Sequence, residues 1–159
     1  MIEELNLVNR DLILNSIRIL TLISEFESKK SFCMSLNRIM LYDFFMKFPR
    51  TMIPAKEKNE EKKDFNEFYS YFHWQPDREE YNLYLSYLIS KDLIERKIIK
   101  NDFCFHINEK GKEVLGKFKS SYSNELTILA KYIKHNISKL SDSKVEGMIM
   151  ESLDGIHNE

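Results

Sequence analysis

Two glycines and a lysine in this chain have the spacing of a phosphate-binding loop. Gly111, Gly116 and Lys117 fit the pattern GxxxxGK, in which backbone amides cradle phosphates and the lysine neutralises them. The next position should be Ser or Thr to hold magnesium, but it is Phe118. The apolar residues between the two glycines also fit one face of a helix better than a flexible loop. The spacing therefore does not predict a nucleotide site, and we interpret Gly111 as a residue that shapes the start of a helix.

No other group of side chains has the spacing of a catalytic or metal site. The four histidines are His73, His106, His135 and His157. No two of them lie three or four positions apart on one helix, and none neighbours a cysteine, so a zinc site has no support. Cys33 and Cys104 are expected to be reduced thiols that apolar surroundings make inert. We therefore predict no catalytic residue, no cofactor, no metal and no small-molecule substrate.

The composition predicts a single domain, residues 1–159, with a substantial hydrophobic core. Of the 159 residues, 43% are hydrophobic and 31% are charged, and the net charge is -1. A charge so close to zero argues against a dedicated nucleic-acid binder, which usually carries a basic excess. No apolar run approaches the roughly 20 residues that cross a bilayer, and two cysteines are too few for a disulfide framework. We therefore expect a cytoplasmic protein with no membrane contact.

The stretch of residues 77–115 has the element order of a winged helix-turn-helix. A helix pattern ends at about Ser90, and residues 93–99 and 103–107 then read as two strands joined by a tight turn. Asn108 is the N-cap of the helix that follows. The predicted fold class is therefore mainly α with a small β-hairpin, consisting of a winged helix-turn-helix core, N-terminal helices and a C-terminal helical arm.

Further helices are predicted on both sides of this stretch. Asp11 caps a first helix, and Ser35 caps a second helix that Pro49 ends. Residues 50–64 are strongly charged with both signs, which predicts an exposed loop. After the hairpin, an uninterrupted helical spacing of apolar residues predicts one long helix, kinked near Ser120.

These elements divide the chain into a core and an arm. The predicted winged-helix core spans about residues 11–118, and the C-terminal helical arm spans about residues 119–153. The last helix of the arm begins at residues 141–142. Between the charged loop and the next helix, a run of aromatic residues at 65–74 is expected to pack on the core as a short helix or an irregular segment.

The helix before the hairpin bears on whether the partner is nucleic acid or protein. A DNA-binding winged helix lays this helix in the major groove and presents cations there, but its first turn carries Glu79 and Glu80, which repel phosphate. Leu83, Tyr84 and Tyr87 point partly away from the predicted core. They either cover the first helix or meet another protein, and they are our candidate partner-binding residues.

Three cationic residues near the hairpin turn are the candidates for a nucleic-acid contact. Arg96, Lys97 and Lys100 could touch phosphates from the strand and the turn. Such a cluster is more often a solvated tip with little energetic role. We keep the three residues as candidate nucleic-acid contacts, while the apolar helix before them favours a polypeptide partner.

Three segments give the chain a resemblance to a known family. They are LNRIMLYDFFMKFP at 36–49, EEYNLYLSYLISKDLIER at 79–96 and FCFHINEKGKEVLGKFKSSYSNELTILAKYI at 103–133. With them the chain resembles the middle component of ABC-three-component systems, the small accessory subunit of Lamassu-type anti-phage defence. The phrase LxRIMLYDFF is the more particular part of this resemblance.

The resemblance implies a non-enzymatic scaffold subunit. It would bind an SMC/Rad50-like ATPase encoded in the same operon, bridge the ATPase heads and restrain an effector nuclease until foreign DNA is sensed. DNA contact would then occur through the complex. The alternative is a dimeric winged-helix DNA-binding transcriptional regulator, and an ATP-dependent enzyme is a third reading that depends on the incomplete GxxxxGK alone.

Overall fold

The computed structural model describes the backbone of residues 2–53 and 77–157, and the side chains of residues 10–53 and 77–152. The first helix, α1 (Ile2–Glu25), passes straight through Asp11. The predicted N-cap at Asp11 is therefore wrong. Its backbone carbonyl is already inside the helix and accepts a hydrogen bond from the Asn15 side chain at 2.8 Å. Residues 19–23 of α1 are buried on all sides.

The second helix, α2 (Leu36–Lys47), begins where the sequence predicted. Ser35 is its N-cap, and the Ser35 hydroxyl accepts from the backbone N–H of Arg38 at 3.3 Å. Pro49 opens a separate short helix, α3 (Pro49–Met52), because proline suits the first helical position. The first residues of the predicted charged loop 50–64 are therefore helical, which corrects that boundary. The rest of that loop and the aromatic run 65–74 lie outside the described residues.

The helix–hairpin–helix stretch is confirmed almost residue for residue. Helix α4 (Arg78–Ser90) leads into β1 (Ile94–Ile99) and β2 (Asp102–Ile107), which pair antiparallel. A two-residue loop, Lys100–Asn101, joins the strands, and both of its residues have positive φ, 50° and 69°. This is the geometry of a tight hairpin turn with a backbone twist that matches the strands.

Behind the hairpin the predicted single long helix is wrong, because the chain forms two helices. Helix α5 (Glu109–Gly116) starts at the predicted N-cap Asn108, and α6 (Ser121–Tyr132) starts anew after a break. Ser120 and Ser123 form a reciprocal capping box at that break, so the serines predicted to kink one helix start another.

The C-terminal part continues α6 and then reverses. A five-residue π-helix (Ile133–Ile137) follows α6 directly, and α7 (Asp142–His157) begins at the predicted position and extends past Asp154. Helix α1 packs against α2, α4, α5, α6 and β2. Apolar side chains from α1, α2, α4, the base of the hairpin, α6 and α7 share one core. The described residues are thus mainly helical with one two-stranded hairpin, and the winged-helix assignment stays a prediction.

The hairpin is joined to the core by a covalent bond that the sequence reading did not foresee. Cys33 and Cys104 form a disulfide across Cα atoms 5.1 Å apart, which corrects the expectation of two reduced thiols. The physical reason is backbone proximity, since the N–H of Phe105 donates to the carbonyl of Met34 at 3.0 Å. Counting cysteines gave no sign that residues 71 positions apart would become neighbours.

Candidate protein-interaction surface

Helix α4 is held in place by a buried polar cluster that consists of Asn15, Arg18, Asp43 and Tyr81, here called the Asp43 cluster. The Arg18 guanidinium donates two hydrogen bonds to the Asp43 carboxylate, from Nε to Oδ1 at 2.6 Å and from Nη2 to Oδ2 at 2.9 Å. The hydroxyl of Tyr81 on α4 donates to Oδ2 of Asp43 at 2.6 Å. Arg18 also donates to Asn15 at 2.7 Å. The cluster therefore joins α1, α2 and α4 through one carboxylate.

Burial and charge together set the pKa values of Asp43 and Tyr81: they oppose each other at Asp43 and act in the same direction at Tyr81. Burial alone pushes the pKa of Asp43 up, but the charge and hydrogen bond of Arg18 and the hydrogen bond of Tyr81 outweigh it, so this pKa lies below its ordinary value. Burial followed by the negative charge of Asp43 raises the pKa of Tyr81 well above its ordinary value. The cluster thus holds a carboxylate, a guanidinium and a neutral phenol that are joined by hydrogen bonds.

Sequence reasoning missed this cluster, although a signal was present. Arg18 and Asp43 are each a lone charge within an otherwise apolar stretch of helix. Two such charges of opposite sign are expected to form an ion pair, because a buried charge is costly unless it is paired. The spacing of 25 residues between them carried no information about which partner each would take.

The three candidate partner-binding residues do not share one environment. Leu83 is 56% exposed and points away from the core. Tyr84 is buried, with 6% of its surface exposed, and its hydroxyl donates to Glu80 at 2.6 Å. The expectation that Tyr84 points partly away from the core is therefore corrected, since its ring packs edge-on against Tyr81, and its burial favours the alternative in which it covers the protein's own helices. Tyr87 is half-buried, with the Lys91 ammonium 5.8 Å from its ring centre.

The outer face of α4 therefore carries apolar and polar side chains, with almost no cations among them. Asp77 caps the helix by accepting from the N–H of Glu79 at 3.0 Å, which keeps acidic groups in the first turn. Ile89, at 40% exposure, adds a second outward apolar side chain to Leu83. A partner-binding role for Leu83, Tyr84 and Tyr87 stays a prediction.

The three candidate nucleic-acid contacts are all exposed on the hairpin. Arg96 lies over the ring of Phe103, with its Cζ atom 4.6 Å from the ring centre. Lys97 is 4.0 Å from Glu95, a loose pair at the surface. Lys100 lies in the turn with its side chain in solvent. Ile98 and Phe103, which the sequence reading left without a role, are exposed beside these cations.

The GxxxxGK spacing falls inside helix α5 and so does not form a phosphate-binding loop. The N–H of Gly111 already donates to the side chain of its N-cap, Asn108, at 2.8 Å. Glycine is required at position 111 by contact, because a Cβ there would overlap the carbonyl oxygen of Leu93 and come within 2.7 Å of Ile107. Gly116 lines a cavity of about 230 Å³, which is smaller than a typical ligand pocket of at least ~300 Å³.

The described residues offer neither a metal-binding group nor a membrane-spanning helix. Among the side chains of residues 10–53 and 77–152, no three from His, Cys, Asp or Glu come together in a group that could hold a metal ion. Within residues 2–53 and 77–157, no helix combines the length and the apolar character that a bilayer crossing requires.

Comparison with known proteins gives one match. The family model described as "ABC-three component (ABC-3C) system Middle Component 2" matches residues 12–159, which is nearly the whole chain. No curated protein and no solved structure matches it.

Proposed function

The chain belongs to the Middle Component 2 family of ABC-three-component systems, and from this membership we propose that it is a non-enzymatic accessory subunit of an anti-phage defence complex. Its partners are an SMC/Rad50-like ATPase and an effector nuclease, as in Lamassu-type defence. It bridges the ATPase heads and restrains the nuclease until foreign DNA is sensed. The observation that carries this proposal is the family match over residues 12–159.

The outer face of α4 supports a polypeptide partner for this subunit. Between Arg78 and Lys91 the helix carries no cation, and Leu83 and Ile89 stand in solvent. A helix that enters the major groove needs Arg, Lys, Asn or Gln aimed at bases and phosphates. Apolar side chains at the centre of a surface patch are instead typical of the part of a protein interface that loses water. Leu83 and Tyr87 are therefore proposed to contact another subunit.

The order of the elements supports a winged-helix core that serves as a protein-binding module. Among the described residues of that core, the longer helices α1, α2 and α4 and the four-residue α3 precede the hairpin, and α5 closes it. The hydrogen bond from Phe105 to Met34 gives β2 a second backbone neighbour, as the short first strand of a winged helix would. In this proposal the wing and the outer face of α4 present one surface each to the complex.

Purification of the three components together tests the proposal. The chain, the ATPase and the effector are co-expressed, and the masses of the eluting species are measured by light scattering after size-exclusion chromatography. We expect one complex that contains all three and whose nuclease activity on linear DNA is lower than that of the free effector. Co-elution of only the ATPase and the effector would contradict the proposal.

A matched pair of variants links the proposal to α4. Leu83→Glu is expected to weaken assembly by about tenfold or more, because it places a charge in an apolar contact. Ile128→Glu on α6 is the control, since Ile128 is 67% exposed and equally apolar. If the two variants weaken assembly equally, the proposed contact between α4 and another subunit is contradicted.

A transcriptional regulator is the second candidate, and the exposed Arg96, Lys97 and Lys100 are the observation in its favour. It requires direct duplex binding with a steep dependence on salt. Fluorescence anisotropy with a 30-base-pair duplex at low and moderate salt separates the candidates. Tight, salt-sensitive binding by the chain alone would favour the regulator, whereas no binding at low salt would remove it.

A further inference from the structure

The register of the hairpin places two exposed apolar side chains directly opposite each other. Ile98 on β1 pairs with Phe103 on β2, so both side chains share one face of the sheet. Ile98 is 67% exposed and Phe103 is 51% exposed. Exposed apolar residues that occur singly need no explanation, but a cross-strand pair of large ones at the end of a hairpin is a compact apolar surface.

Apart from Arg96, the side chains of this face are apolar, and the core covers only its inner end. The pair Ile94 and Ile107 shares this face at the base of the hairpin, and Phe105 lies between the base and the tip. All three are buried. The Ile98–Phe103 pair is thus the continuation of a core-facing surface beyond the edge of the core.

Cations without an acidic partner surround the exposed pair. Arg96 lies on this face and stacks on Phe103, with Cζ 4.6 Å from the ring centre. Lys100 lies in the turn beside Ile98. Among the described residues neither cation forms an ion pair, whereas Lys97, on the opposite face, is near Glu95. We call the set Arg96, Ile98, Lys100 and Phe103 the hairpin-tip patch.

We propose that the hairpin-tip patch docks onto an acidic protein surface of a partner subunit, with Ile98 and Phe103 in an apolar seat and carboxylates facing Arg96 and Lys100. The proposal rests on the proposed function, because it assumes that the chain assembles with other subunits. Aromatic and arginine side chains are the residues most enriched in the energetically dominant part of interfaces. Opposite charges at the rim then fix the orientation of the partner.

A protein partner fits the patch better than duplex DNA does. The phosphate backbone would pair with Arg96 and Lys100, but it offers little to replace the water around Ile98 and Phe103. An apolar seat removes those two side chains from water, which stabilises the complex in proportion to the area covered.

The hairpin is also rigid enough to present the patch in one geometry. Its tip is a two-residue turn, and the disulfide at Cys104 ties the middle of β2 to the segment before α2. A surface that is ordered before binding loses less conformational freedom on association. A partner is less suited to bind by adding a strand to the edge of β1 than by contacting the hairpin-tip patch. Glu95, Arg96 and Lys97 form a run of charges on β1, and such runs discourage edge pairing.

The experiment measures the affinity of the chain for the purified ATPase and, separately, for the purified effector. Ile98→Ser is expected to weaken binding to one of them by about tenfold. Ile128→Ser is the matched control, because Ile128 is the same residue type with the same 67% exposure. Both variants change exposed side chains, and equal melting temperatures by circular dichroism establish that both are folded.

Charge reversal supplies an independent variant for the same measurement. Arg96→Glu is expected to weaken the same interaction by about tenfold or more and to flatten its dependence on salt, because a favourable charge contact becomes a repulsive one. If Ile98→Ser and Arg96→Glu both bind like the wild type, the hairpin proposal is overturned while the proposed function stands. If the wild-type chain binds neither subunit, both are overturned.

Binding to DNA is the remaining outcome of the test. A fluorescent duplex is titrated with the wild type and with Arg96→Glu under the same salt conditions. If Arg96→Glu loses duplex affinity but keeps full affinity for the ATPase and the effector, the patch is a phosphate contact and the docking proposal fails. If partner affinity falls and the wild type shows no duplex binding, the docking proposal is supported.

Discussion

The Asp43 cluster and the hairpin-tip patch hold the same kinds of side chain in opposite circumstances. In the cluster an arginine meets a carboxylate and a tyrosine out of contact with water, and each polar group has its partner. At the tip an arginine lies on a phenylalanine in solvent, with no acidic partner among the described residues. The comparison teaches that the chain completes its interactions internally at one region and leaves them open at the other.

This contrast leads to an ordered set of expectations. Changes at the Asp43 cluster should have large effects on the free energy of unfolding, because they leave buried groups unpaired. Changes nearer the tip should affect unfolding progressively less, because fewer contacts depend on them. The proposed effect on assembly runs the other way, because the open interactions lie at the tip.

Removal of the central carboxylate should have the largest effect. Asp43→Ala leaves the buried Arg18 guanidinium without its carboxylate partner and removes the acceptor of Tyr81. We expect a loss of about 3–5 kcal/mol in the free energy of unfolding, measured by urea denaturation. The control is Asp142→Ala, which breaks the partly exposed Arg38–Asp142 pair at 3.2 Å and should cost about 1 kcal/mol or less. Similar losses for both variants would remove the distinction between the two kinds of pair.

Cutting the covalent tie between core and hairpin should come next. Cys33→Ser opens a loop closed across 71 positions, and we expect a loss of about 3 kcal/mol. Cys104→Ala and the double variant should lose about the same amount, since all three lack one bond. Alkylation followed by mass spectrometry checks the starting point. Two modifiable thiols in the folded, unreduced wild type would contradict the disulfide.

The base of the hairpin should respond to a single methyl group. Gly111→Ala places a Cβ against the Leu93 carbonyl and Ile107, and we expect it to destabilise the fold by about 2 kcal/mol. Gly116→Ala is the matched control in the same helix, because nothing lies within 4 Å of its added Cβ. It should be neutral or slightly stabilising by virtue of the helix propensity of alanine. Thermal melts of the pair measure the difference, and equal melting temperatures would refute the close contact.

The turn itself should give the smallest effect and the opposite sign. Asn101 has φ 69°, and glycine adopts this conformation at no steric cost. Asn101→Gly should therefore stabilise the fold by about 0.5 kcal/mol, whereas Asn101→Val should destabilise it. Urea denaturation of the two variants tests the turn geometry. A gain from valine would be incompatible with a positive φ at this position.

Local patterns in the sequence were sufficient for elements whose signals are local. Ser35 and Asn108 were identified as caps because the side chain of a cap bonds to a backbone group only a few positions away. The hairpin was identified because its strands and its turn lie within a single run of fourteen residues, from Ile94 to Ile107. The single long helix after it was wrong because apolar spacing continued across a break that the Ser120 capping box creates.

Features that depend on distant contacts were not predictable from local patterns. For Tyr84 the sequence left open whether it covers the first helix or meets another protein, and only the packing of α4 against α1 and α2 shows that its ring is buried. The partners Arg18 and Asp43 lie 25 positions apart, and the two cysteines lie 71 positions apart. A single sequence does not show which of many distant residues form such pairs, because the pairing depends on how the helices pack. The exposure of Ile98 and Phe103 likewise depends on where the core ends.

The disulfide has a consequence for any protease that meets this chain. Because it joins Cys33 to Cys104, the backbone between them is a closed ring. A single cleavage within the ring opens it without separating the polypeptide into two molecules, and the fragments stay connected until a reductant is added. A nicked molecule would therefore keep the mass of the intact one, apart from one added water, and only a reducing gel would reveal the cut.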